Sequence, residues 1–94
     1  MFSVYILVCC DGSFYVGHTN DLRKRLESHN AGTAARYTRE HRPVRLAYSE
    51  RHPTRTAATQ REHQIKGWSR AKKKALIRGD LVRLHALSRR RSGN

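Results

Sequence analysis

Two runs rich in β-branched and aromatic residues, "SVYILVC" (Ser3–Cys9) and "SFYVG" (Ser13–Gly17), flank Cys10-Asp11-Gly12. Asp-Gly between two such runs is a strong signal for an antiparallel hairpin. No other feature of the chain limits the fold as much. The turn length then decides what each face carries, because a slip of one residue moves every side chain to the other face. A two-residue turn at Asp11-Gly12 pairs Cys10 with Ser13 and sets Tyr15 with Val4, Ile6 and Val8, opposite Tyr5. A three-residue loop, with Gly12 in the left-handed bulge position, pairs Cys9 with Ser13. Val4, Ile6, Val8, Phe14 and Val16 then form one wholly apolar face, and Tyr5, Leu7, Tyr15 and Gly17 share the other. This second register segregates the faces and needs glycine only where glycine stands, so it is the one expected.

A helix follows. Thr19 or Asn20 can cap it, Asp21 favours its positive end, and Leu22 and Leu26 supply an apolar stripe. Arg25 and His29 form the neighbouring stripe, and Asn30-Ala31-Gly32 ends the helix. "TAARYTREHR" (33–42) is polar and basic and reads as a loop. Pro43–Glu50 alternates Val44, Leu46 and Tyr48, a third strand with Val44 and Leu46 inward and Arg45 outward. Thr54 opens a second helix, in which Ala58, Glu62 and Lys66 line one strip and Arg61 and Ile65 the next, and Gly67 stops it. Ser69 caps a third helix ended by Gly79, with Trp68 expected to pack between the two. Asp80 can cap a last short helix with Leu81, Leu84 and Leu87 on one side, and "SRRRSGN" (88–94) reads as a disordered basic tail. The expected architecture is α/β (α+β), a small three-stranded antiparallel sheet flanked by helices. Its order is ββαβαα over residues 1–79, with the short helix and tail over 80–94.

The 94 residues make one small domain with one modest core. They carry 20 Lys and Arg against 7 Asp and Glu, a formal charge of +13. Such like charge repels itself and calls for a polyanionic partner, nucleic acid before membrane. With no long apolar run and no signal-type segment, no membrane association is expected. Cys9 and Cys10 are adjacent and would point to opposite faces of a strand, so they are expected as free thiols in a reducing, cytoplasmic setting. No second cysteine pair completes a zinc knuckle.

A tyrosine lies in each hairpin strand, Tyr15-Val16-Gly17 closes the second, an arginine and a histidine lie four apart on the first helix, and a glutamate sits in the middle of the second helix. Each has an ordinary explanation taken singly: tyrosines fill strands, Arg25 faces solvent, His29 complements a helix end, Glu62 pairs with Arg61 or Lys66. Together, in this order and spacing, they resemble the GIY-YIG nuclease superfamily. Ser3-Val4-Tyr5 matches its first motif and Tyr15-Val16-Gly17 its second. "DLRKRLESHN" looks like its arginine helix, matched at Arg25, and "TAATQREHQIK" like its glutamate helix, matched at Glu62. The likeness runs from about Ser3 to about Ile77, and the chain looks like a small stand-alone bacterial member. Ser3 replaces the first motif's glycine, and His18 stands where several relatives carry lysine.

The resemblance implies a divalent-metal-dependent endonuclease hydrolysing DNA phosphodiester bonds, with Mg2+ or Mn2+ as cofactor. Glu62 is then the metal ligand and Arg25 the fork for phosphate oxygens. Tyr5 and Tyr15 position or deprotonate water, and His29 contacts phosphate or relays a proton. Arg25 and the metal ion are expected to favour a tyrosine phenolate. Gly17 and His18 shape the site. Arg23, Lys24, Arg36, Arg39, Lys66, Arg70, Lys72, Lys73 and Lys74 are expected to hold nucleic acid by its backbone. Relatives point to branched or damaged DNA in repair or recombination, with specificity from DNA shape or a protein partner; RNA stays open as a substrate. The alternatives are a catalytically silent nucleic-acid-binding module of the same fold and a basic structural protein of the ribosome.

Overall fold

The computed structural model describes the backbone of residues 1–92 and the side chains of residues 1–88. Its elements run β1 (Phe2–Val8), β2 (Phe14–Thr19), α1 (Leu22–Ala31), α2 (Arg36–Glu40), β3 (Arg45–His52), α3 (Arg55–Lys66), α4 (Arg70–Arg78) and α5 (Leu81–Ser92). The sheet is antiparallel in the order β2-β1-β3, which makes β2 an edge strand.

The hairpin takes the three-residue loop. Val8 pairs with Phe14, and the Cys9 N–H donates to the Ser13 carbonyl at 2.8 Å. Gly12 holds the left-handed position at φ 85°, where a side chain would strain the backbone. The faces segregate as that register requires. Val4, Ile6 and Val16 pack with Ala58 and Ile65 of α3 and Leu76 of α4, joined by Phe14, Tyr48 and Trp68. On the other face Tyr5, Leu7 and Cys9 meet Val44, Tyr15, and Leu22 and Leu26 of α1. Each large aliphatic side chain buried this way contributes about 1.5–3 kcal/mol. A slipped register would turn one strand's apolar set away from α3 and α4 and its tyrosine toward them, so packing and turn chemistry select the same pairing.

Four expectations need correction. Asp21, rather than Thr19 or Asn20, caps α1: its carboxylate accepts the Lys24 N–H at 3.1 Å, while the Thr19 hydroxyl bonds the Asp21 backbone. The third strand begins at Arg45 rather than Pro43 and carries an extra residue. Ile6 faces Tyr48 but Leu7 faces Leu46, leaving Ala47 between them. That bulge breaks the alternation. Val44 enters one cluster and Tyr48 packs against the other, while Leu46 is 38 % exposed instead of inward.

Residues 33–42 are more than a loop, since α2 lies within them and adds one helix to the expected order. It has no side-chain cap, and its buried residue is the polar Thr38. Apolar periodicity is blind to a helix anchored by a hydroxyl. Finally, Asp80 caps α5 as expected, accepting the Arg83 N–H at 3.0 Å. The helix then continues to Ser92, through most of the stretch expected to be disordered; Gly93 and Asn94 lie outside the described residues. Leu84 reaches the core, but Leu81 is exposed. Both cysteines are free, Cys9 buried and Cys10 exposed. Among the described residues no helix is long and apolar enough to cross a membrane.

Candidate active site

Tyr5 and Gly17 face each other across the hairpin. A Cβ on Gly17 would lie 2.5 Å from the Tyr5 hydroxyl oxygen and 2.7 Å from Cζ, so the ring crosses β2 only because no side chain stands there. The hydroxyl bonds His29 Nε2 at 2.8 Å. His29 Nδ1 lies 2.7 Å from Thr38 Oγ1, and the Thr38 hydroxyl donates to the Ala35 carbonyl at 3.1 Å. Tyr5, His29 and Thr38 are each at most 1 % exposed. Three elements, β1, α1 and α2, thus meet in one buried polar chain. Such groups are costly to bury unless bonded, and among the described residues no buried side-chain polar atom lacks a partner.

Aromatic rings continue the site outward. Tyr15 meets the edge of His29 at 5.1 Å between centroids. Tyr37 stacks on Tyr15 at 6.4 Å, and His41 stacks on Tyr37 at 4.2 Å. The Tyr37 hydroxyl donates to Ser13 Oγ at 2.7 Å, which ties α2 to the hairpin. Phe14, Tyr15, Val16, Tyr37, Lys66 and Lys73 line a pocket of about 320 Å³.

Two effects oppose each other at Tyr5. Burial pushes its hydroxyl up to about 12, outweighing the pull of Arg25 beside it, which acts in the direction expected. Without a metal ion Tyr5 is therefore a neutral phenol near pH 7. Burial, then the charge of Arg25, holds His29 below its ordinary value, so its imidazole is neutral as well.

Glu62 approaches from the other side of the edge strand. His18 pairs with Val4 and so shares the face that α3 covers. The Glu62 carboxylate bonds His18 Nδ1 and, at 2.6 Å, Lys66 Nζ. Burial works against its ionisation, but the bonds to Lys66 and His18 outweigh it and hold the carboxyl below its usual value. Its negative charge acts on the Tyr5 hydroxyl, as the positive charge of Arg25 does. Tyr5, Tyr15, Gly17, Arg25 and His29 are therefore gathered on one side of β2, with His18 and Glu62 on the other. Arg61 belongs elsewhere, with its Nε on Glu50 at 2.8 Å.

The expected backbone-binding cations divide. Lys24, Arg39 and Lys74 are exposed. Arg23 and Arg36 are exposed and pair with Glu27 at 3.7 Å and Glu40 at 3.3 Å. Arg70 lies over the Phe14 ring at 4.4 Å, and Lys73 is half-buried. Lys72 is a correction: it is buried, with Nζ 4.3 Å from the centre of the Trp68 ring, and presents little surface to a phosphate. Tyr37, Thr38 and His41 escaped the sequence reading. An aromatic and a hydroxyl side by side in a charged stretch were the available cue.

The family model described as the GIY-YIG catalytic domain matches residues 1–75. A UPF0213 protein of Bacillus pumilus is 52 % identical over 73 residues, covering 78 % of this chain and 74 % of its own length. One from Natronomonas pharaonis is 47 % identical, covering 79 % and 87 %. A solution NMR structure of a UPF0213 protein from Bacillus halodurans matches with TM-score 0.53 and 41 % identity over 82 % of this chain and 83 % of that one. The solution NMR structure of the protein EF2693 from E. faecalis matches with TM-score 0.57 and 38 % identity over 85 % of each. The family match spans the sheet and the helices α1 to α3, and by it the chain belongs to the GIY-YIG family of nucleases.

Proposed function

We propose that the protein is a divalent-metal-dependent endonuclease that hydrolyses DNA phosphodiester bonds at the outer edge of β2. The observation that carries this reading is that Tyr5 crosses the edge strand at Gly17 to bond His29 at 2.8 Å, while the Glu62 carboxylate reaches the same strand from the other side at His18. A phosphodiester needs a fixed cation for its oxygens, a group to receive the proton of attacking water, and a site for a metal ion. Arg25 is exposed and offers a planar fork to the phosphate. Tyr5 and Tyr15 orient water and receive its proton.

The donor set fits Mg2+ or Mn2+. Glu62 is an ionised hard-oxygen ligand, and its present partners, His18 and Lys66, stand where a cation would be favoured. Among the described residues no cluster of three His, Cys, Asp or Glu accompanies it. One carboxylate completed by water and substrate phosphate is the manner of Mg2+. Glu62 would hold the ion, which when bound supplies Lewis-acid stabilisation of charge on the phosphoryl oxygens. Lys66 and Lys73, which line the pocket with Tyr15, and Arg70, over the Phe14 ring, hold the backbone, a contact that carries no base information. Selection then falls to DNA shape, which favours branched or damaged substrates in repair or recombination.

Nicking of supercoiled plasmid, with and without Mg2+ or Mn2+, tests the activity, and a panel of duplex, flap, fork and single-stranded DNA ranks the substrates. Nicking in either metal and none in chelator is the expected result. Tight binding with no nicking in either metal would assign the chain to a silent binding module.

A further inference from the structure

The buried chain of hydrogen bonds has a direction. The Thr38 hydroxyl has one proton, and its geometry gives that proton to the Ala35 carbonyl at 3.1 Å, beside the Arg39 N–H that the same carbonyl accepts at 3.0 Å. Thr38 Oγ1 therefore accepts from His29, 2.7 Å away, and the proton of the neutral imidazole sits on Nδ1. Nε2 is left as a bare lone pair, which the Tyr5 O–H must fill at 2.8 Å. With its proton turned inward, the Tyr5 oxygen keeps only lone pairs toward Arg25, itself a pure donor. A phenol so placed can take a proton from the site but cannot give one to it.

We propose that Thr38 is a positioning residue that locks His29 in the Nδ1–H tautomer, so that Tyr5 receives the proton of the attacking water and passes its own to His29. This deepens the nuclease reading and rests on it. In the step, a water O–H bond breaks and its proton goes to Tyr5 Oη, while the Tyr5 proton moves to His29 Nε2. The water oxygen bonds phosphorus with its electron pair, and the phosphorus–oxygen bond to the leaving strand breaks. The leaving oxygen keeps that bond's electrons and takes a proton from solvent. His29 ends as the imidazolium, its Nδ1–H still held by Thr38, and returns its proton to solvent between turnovers. Burial and the charge of Arg25 keep His29 neutral near pH 7, so its Nε2 lone pair is vacant when the water attacks. Thr38 touches the reacting atoms only through His29 and Tyr5.

The test joins a spectrum to a rate. Long-range 1H–15N correlation of the histidine rings, on the whole chain without DNA or metal at neutral pH, should show one neutral imidazole protonated at Nδ1. That signal is assigned by its loss in His29→Asn. Thr38→Val keeps the shape but removes the acceptor. It should release His29 to a tautomer mixture and lower kcat on the order of 10- to 100-fold, with DNA affinity within twofold. Thr38→Ser should restore the tautomer and return kcat to within threefold of wild type. A wild-type His29 protonated at Nε2 overturns the proposal, and so does Thr38→Val cutting at the wild-type rate. Should Thr38→Val not fold, the wild-type spectrum and the Thr38→Ser rate decide. A wild type with the expected tautomer that cuts no nucleic acid overturns the nuclease reading, and the proton transfer with it. The substrate-free spectrum tells that failure from a wrong hydrogen-bond direction.

Discussion

Gly17 and Tyr5 show how much rests on one missing methyl group. The built Cβ falls 2.5 Å from the Tyr5 oxygen, a distance real contacts do not reach, and the ring behind it is buried. Gly17→Ala should push the ring off His29. Thermal unfolding should register a loss of roughly 1–3 kcal/mol, as for other overpacked cores, and cleavage should fall with it. An alanine variant with wild-type Tm and rate would mean that the Tyr5 position is not needed. Much of this was legible from residue identities: Tyr5, Tyr15, Gly17, Arg25, His29 and Glu62 stand in an order that resembled one family. What could not be read was protonation. Proximity to Arg25 argued for a phenolate, but burial depends on how many atoms close over the ring, and a linear motif does not carry that.

The hairpin, α1, α3 and α4 announced themselves through signals that act locally: an Asp-Gly turn, leucines four apart, Thr54 and Ser69 as caps. Both caps formed as read, accepting from Ala57 N–H at 3.1 Å and Lys72 N–H at 3.2 Å. The bulge at Ala47 and the short α2 depend on tertiary contact, the one on pairing with β1 and the other on Thr38 meeting His29. Neither leaves an apolar period in the sequence. On α3, Glu62 and Lys66 lie one turn apart and are bonded to each other, so a metal ion must displace an ammonium to reach the carboxylate. Lys66 is half exposed, and such pairs are worth at most about 1 kcal/mol. Lys66→Met should therefore tighten Mn2+ binding to the DNA-free protein by roughly threefold to fivefold, read by electron paramagnetic resonance. Unchanged or weaker binding would show that Glu62 is not the ligand.

For the molecule as a whole, charge sets the terms of binding. A net +13 on 94 residues makes association with a polyanion strongly dependent on salt. Log affinity should fall against log salt with a slope of about −0.9 for each phosphate neutralised. Replacing Arg89, Arg90 and Arg91 together by Gln should flatten that slope by roughly three units if each meets one phosphate. An identical slope would show that these arginines make no contact with DNA. The rate at saturating DNA should hold, because no group of the proposed site lies in α5. The account as a whole stands on Glu62 serving chemistry rather than binding. Single-turnover cleavage at saturating DNA in Mg2+, wild type against Glu62→Gln, separates the two most directly. The predicted result is cleavage by wild type and a loss of at least about 100-fold in the variant, with DNA affinity equal or tighter once the negative charge is gone. A Glu62→Gln protein that cuts at the wild-type rate would contradict the account.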